Sequence, residues 1–291
     1  MSTDDPVFQT VIAPFAVALA VVAISQLAGG RRGQIFAGLG VALAVLVGYA
    51  LLAGVPRFPP PASTQKLFYL IALGGLLGLV VDAAGRPPLL DRLAVVALPA
   101  VALVWLAWRQ LNAGPEIPLL VTLGLLWAGM TAALWRLADA SDRGAGVTGP
   151  ALLIVAATGT AVVALLGRTA TLSLLSGAIA AAAGALALWN YAASIIGGSS
   201  HGFGRMALLA AAGGLAAICA LLVLFTPTAS RLALVGILLV PFSEPAARRI
   251  RLGSGPTERI LSPVVHAAVA AIPALAAIGI AYLSSGEAPA F

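Results

Sequence analysis

The chain has 291 residues, of which 61% are apolar and 9% charged, and its mean hydropathy is +1.05. A soluble domain carries about 25% charged residues, so a chain this poor in charge cannot cover a water-facing surface, and a soluble enzyme is excluded. Sixteen Lys and Arg against ten Asp and Glu leave a formal charge of +6, which in a membrane protein reports on how links sit across the bilayer and does not point to nucleic acid.

A membrane span needs about 20 mostly apolar residues. Runs of this kind fall at 8–28, 35–54, 67–83, 93–108, 117–137, 150–167, 170–195, 206–225, 231–245 and 263–284. They predict an all-α, polytopic transmembrane helical bundle of about ten spans, the fourth and ninth being the shortest. The opening Met-Ser-Thr-Asp-Asp-Pro lacks the basic n-region of a secretory signal, so the first run is expected to stay as a span. The links are brief. Phe58-Pro59-Pro60-Pro61 reads as a stiff polyproline-like stretch. The segments 140–144 and 197–200 read as flexible. No link holds a separate soluble domain, so the chain reads as one membrane domain in two halves, 1–145 and 146–291.

Ten spans divide the links into two alternating sets. Eleven of the sixteen basic residues fall in the set after the odd-numbered spans, and five in the other. Basic links stay cytoplasmic. The count therefore predicts a bacterial-type inner membrane with both termini extracytoplasmic. Trp105, Trp108, Trp135, Trp189 and Tyr191 fall at span ends, where interfacial anchors belong.

The span starts of the first half recur in the second at a spacing of about 140 residues. Both fourth spans carry a proline, Pro99 and Pro241. Five spans per half would invert the second copy, a layout used by transporters with a site between the halves. In length and helix count this outline resembles the ten-helix drug/metabolite transporter superfamily. The chain lacks an acidic residue ending the fourth span in the manner of that family's Gly-Glu signature, and no residue role is carried over.

Ionisable and polar groups inside the spans are the candidates for chemistry. Asp82–Arg86 and Glu244–Arg248 are i,i+4 pairs at inner span ends. Each reads either as a solvated pair or as part of a cytoplasmic gate. His266 lies one turn into the tenth span and has a side chain whose ordinary pKa is about 6.5. Asn190, Ser194, Thr158 and Thr160 are candidates to line a polar cavity; like Thr122 and Thr131, they could equally be interhelical hydrogen-bond glue. Gly74 and Gly78 form a GxxxG, and Gly177, Ala181 and Ala185 a second small-residue face. Both mark close helix contact within the chain or with a second copy. Pro14, Pro99, Pro241 and Pro273 can kink their spans. Arg205, at the end of a glycine-rich link, and Arg248, Arg249, Arg251 and Arg259 are candidates for anionic lipid headgroups on the cytoplasmic side.

The lone Cys219 sits in an apolar run, so no intrachain disulfide exists. Two His residues are too few for a His-rich metal site, and no cofactor, metal or catalytic residue set is expected. The leading expectation is a permease moving a small neutral or amphipathic solute. The alternative is an accessory or scaffold subunit of a membrane complex, or a lipid-organising protein. A membrane enzyme acting on a lipid-linked substrate comes third.

Overall fold

A computed structural model describes residues 5–114, 116–144, 146–196, 201–250 and 256–285, apart from the side chains of Arg31 and of 256–260. The candidate Arg251, the side chain of Arg259 and the link 197–200 lie outside the described residues. The described chain is helical, with no strand. In order the main helices are α1 Phe8–Ser25, α2 Gly30–Ala53, α3 Ser63–Ala84, α4 Pro88–Leu106, α5 Ile117–Arg143, α6 Thr148–Leu166, α7 Ala170–Ile196, α8 Arg205–Phe225, α9 Arg231–Leu238 and α10 Pro256–Ser285, with short helices at Trp108–Asn112 and Glu244–Arg249. Nine of them, among the described residues, are long and apolar enough to cross a membrane.

The exception is α9, and proline explains it. Its eight residues span only about 12 Å at the helical rise, against about 30 Å of hydrocarbon. Pro241 and Pro245 have no N–H to continue the ladder. The chain passes instead through a 3-10 turn, Val240–Ser243, into a short helix, Glu244–Arg249. This broken segment still travels from one end of the bundle to the other. Near its start, Thr228 donates to the Gly167 carbonyl at 2.8 Å, between α6 and α7. Near its finish, Glu244 lies 3.9 Å from Arg136, late in α5.

α5 runs six residues past the expected end at 137. The segment 140–144 is therefore helical almost to its end, a correction to its reading as a flexible link. Ion pairs along the helix account for it: Arg136 to Asp139 at 3.3 Å, and Arg143 to Asp139 at 2.6 Å.

One continuous core of buried side chains runs through the bundle. α8 is at its centre, with every residue from 205 to 222 buried. Glycine lets α3 reach it. A Cβ on Gly74 would meet the Leu209 carbonyl oxygen at 2.3 Å, and one on Gly78 the Arg205 carbonyl oxygen at 2.4 Å. The GxxxG is thus a backbone-to-backbone seam inside this chain, running beside the π-helical turn Leu208–Ala212 of α8. The second small-residue face is split: Gly177 has open space around it, while Ala185 is fully buried.

α2 packs on α7 and α3 on α8, so both contacts join the first half to the second. The correspondence between the halves is partial. α6 packs extensively on α10, with no contact of similar extent between α1 and α5.

Candidate functional site

Most of the ionisable side chains with partners gather at one end of the bundle, where α1, α3, α5 and α7 finish and α2, α4 and α8 begin. The local backbone builds this end. α3 stops at Gly85, which takes the left-handed conformation with φ of 88°. The Arg86 N–H closes on the Val81 carbonyl at 2.9 Å and the Gly85 N–H on the Asp82 carbonyl at 3.2 Å. This glycine-capped turn carries the Arg86 guanidinium back to Asp82, to which Nε donates at 2.8 Å. The Met206 N–H donates to the other Asp82 oxygen at 2.9 Å. Asp82 therefore caps α8 from a different helix, at the positive end of its dipole.

Arg205 is the hub. Its side chain is 4% exposed. Nε and Nη2 donate to the two oxygens of Asp91 at 2.6 and 2.8 Å, a bidentate fork. Nη2 and Nη1 also donate to Asp142, at 2.6 and 3.2 Å. Arg86 reaches the same Asp142 at 3.3 Å. Asp91 sits in the first turn of α4, where an acid favours the helix dipole. One buried guanidinium so ties α4, α5 and α8 together.

A second constellation surrounds His201. Its N–H donates to the Asn190 side-chain oxygen at 2.9 Å, and its carbonyl accepts from Asn190 Nδ2 at 2.7 Å. Asn190 Nδ2 also donates to the Gly146 carbonyl at 2.9 Å. The imidazole Nε2 lies 3.0 Å from Ser25 Oγ and 2.7 Å from Gln26 Nε2, at the end of α1. Burial pushes the His201 pKa below its ordinary value.

A third group joins Glu244 to Arg136 at 3.9 Å and to Arg248 at 3.4 Å. The two expected i,i+4 pairs are both present. The Asp82–Arg86 pair belongs to the Arg205 network through Asp142, and the Glu244–Arg248 pair to the Arg136 group. Asp139 and Asp142, one turn apart on α5, belong to one group each.

The candidates for a polar cavity do not converge. Asn190 is fully buried, with its amide spent on the main chain of Gly146 and His201. Thr160 is fully buried and donates to the Ala156 carbonyl at 2.8 Å. Thr158 is exposed on the bundle's outside. Ser194 donates to the Tyr191 carbonyl. His266 holds to its own helix, with Nδ1 2.7 Å from the Ser262 carbonyl. The lipid-headgroup candidate Arg205 is 4% exposed and held by Asp91 and Asp142 of its own chain. Arg248 and Arg249 are exposed.

Asp91, Asp142 and His201 were not among the sequence candidates. The available signal was Arg205 itself, an arginine between Gly204 and Met206 at the start of the apolar run 206–225. Such a charge needs a partner.

Two half-open polar clefts lie at this end. One, of about 230 Å³, is walled by Asp91, Arg92, Trp135, Asp139, Asp142 and Arg205. The other, of about 460 Å³, is walled by Gln34, Asp82 and Arg86 among others. Among the described residues no three His, Cys, Asp or Glu side chains group as metal ligands. No protein-family model matches the chain, and no curated protein sequence matches it.

Proposed function

We propose that the chain is a multi-pass permease, moving a small neutral or amphipathic solute, in a conformation latched at its charged end. The supporting observation is where the halves are tied. Among the described residues, the ion pairs that join 1–144 to 146–285 are Arg205–Asp91, Arg205–Asp142 and Arg136–Glu244, all at that end. Alternating access needs one end of a two-part bundle to close while the other is free to part. Basic links favour the cytoplasm, so this end is assigned to the cytoplasmic face of an inner-type membrane and both termini to the opposite face.

A non-catalytic accessory or scaffold role is the second reading. The dense α3–α8 seam and the sealed Asn190 and Thr160 favour it. No enzymatic role is proposed.

Flux assays in proteoliposomes separate the two. For a permease, the purified chain exchanges at least one solute from a panel of neutral and amphipathic compounds, and Arg205→Gln changes the rate severalfold. No flux across the panel, together with a partner that co-purifies in fixed ratio, overturns it in favour of the scaffold.

A further inference from the structure

The break in α9 leaves an apolar recess that the transport reading does not use. It lies between α5, α6, α8 and the α9 segment, and its walls include Met130, Leu134, Leu137, Ala216, Cys219 and Pro241. It measures about 40 Å³, or about 430 Å³ with its open mouth. Its walls are almost wholly apolar. In water such a hollow would be costly; in a bilayer it adjoins acyl chains.

The charged side chains beside it are not balanced. Leu137 and Pro241 line the recess, and their chain neighbours Arg136 and Phe242 meet at its charged-end rim, the guanidinium 5.8 Å from the ring centroid. Arg136 is 26% exposed. Its Nη1 donates to Asp139 at 3.3 Å, while Nε is buried without a hydrogen-bond partner among the described residues. Arg248 and Arg249 stand exposed in the last turn of the adjoining short helix, and Arg143 lies two turns along α5. Among the described side chains, these two helices carry four cations, Arg136, Arg143, Arg248 and Arg249, against three carboxylates, Asp139, Asp142 and Glu244, and Asp142 is already held by Arg205.

We propose that this place binds an anionic phospholipid, with an acyl chain in the recess and the phosphate at Arg136, flanked by Arg248 and Arg249. A buried guanidinium N–H lacking an acceptor is a cost that a phosphate oxygen removes. The surplus positive charge selects an anionic head over a zwitterionic one. The site stands whether or not the bundle moves a solute.

The test titrates the delipidated full-length protein in detergent with dioleoyl phosphatidylglycerol, dioleoyl phosphatidylcholine or glycerol 3-phosphate, and reads adducts by native mass spectrometry. Phosphatidylglycerol is expected to be retained over phosphatidylcholine with the same chains, and glycerol 3-phosphate not at all. Arg136→Gln weakens the phosphatidylglycerol adduct roughly fivefold and the phosphatidylcholine adduct less, so that the preference between the two narrows. Ala216→Phe, which fills the recess, weakens it as well, whereas Arg231→Gln at the far end does not. Should the core variants fail to fold, the exposed double variant Arg248→Gln/Arg249→Gln still lowers the preference. Equal retention of the two lipids, or a preference that survives both Arg136→Gln and Arg248→Gln/Arg249→Gln, overturns the proposal. Glycerol 3-phosphate binding as well as the lipid overturns the acyl-chain assignment.

Discussion

Gly78 of α3 and Met206 of α8 touch with no room for a side chain between them: a Cβ on Gly78 would lie 2.4 Å from the Met206 Cα. The clash is with backbone, so no rotamer change relieves it. Gly78→Ala is expected to cost about 1–3 kcal/mol as overpacking. It should appear as a lowered melting temperature in detergent and loss of monodisperse protein. Gly177→Ala is the control. With open space around it, that change should be neutral or stabilise the helix by about 0.5–1 kcal/mol.

Removing Arg205 strands two carboxylates. Arg205→Gln should destabilise the protein by about 3 kcal/mol, the scale for breaking a buried pair from one side. Arg205→Lys should recover little, because an ammonium cannot reproduce the fork onto Asp91. Between the partners, Asp91→Asn should cost more than Asp142→Asn, since Asp91 is 21% exposed and Asp142 is 42%. Thermal unfolding of the four variants gives the order.

His201 makes stability depend on pH. Burial holds its folded pKa below the ordinary 6.5, so the unfolded chain binds the proton more readily than the folded one. The stability of the neutral, packed ring is fully present above about pH 6.5 and is lost as pH falls below that value. Melting temperatures between pH 8 and pH 5 should therefore decline in the wild type, and His201→Gln should flatten the part of the decline that this ring causes.

Topology can be read directly. Reporter fusions in the link at Gly144 should report cytoplasm, and fusions in the link at Pro227 the opposite face. Identical signals at both would mean that α6, α7 and α8 do not cross an odd number of times. That result would remove the basis for assigning the charged end to the cytoplasm.

A close helix contact at Gly74 and Gly78 was legible in sequence, because small residues four apart serve in lipid for the close approach of another helix, but its partner α8 was not. The Arg205 network was not. Asp91 and Asp142 are 114 and 63 residues from their partner, and no local pattern records so distant a pairing. Hydropathy ended α5 too early, because the turn that completes it is held by ion pairs and not by apolar side chains. Thr158 and Thr160 form no shared polar face, since residues two apart on a helix point to nearly opposite sides. One is sealed inside and the other faces out.

The burial of α8 on every side bears on how the protein is made. Helices enter a membrane in chain order, and α8 follows α2, α3 and α4, the helices of the first half that it packs against. Until it arrives, Gly74 and Gly78 line an empty groove, and Asp91 and Asp142 stand without the guanidinium that joins them. A chain interrupted after α7 would leave that groove open to lipid and to neighbouring proteins. Arrival of α8 is thus a late, committing step of assembly, and quality-control proteases would meet their best substrate just before it.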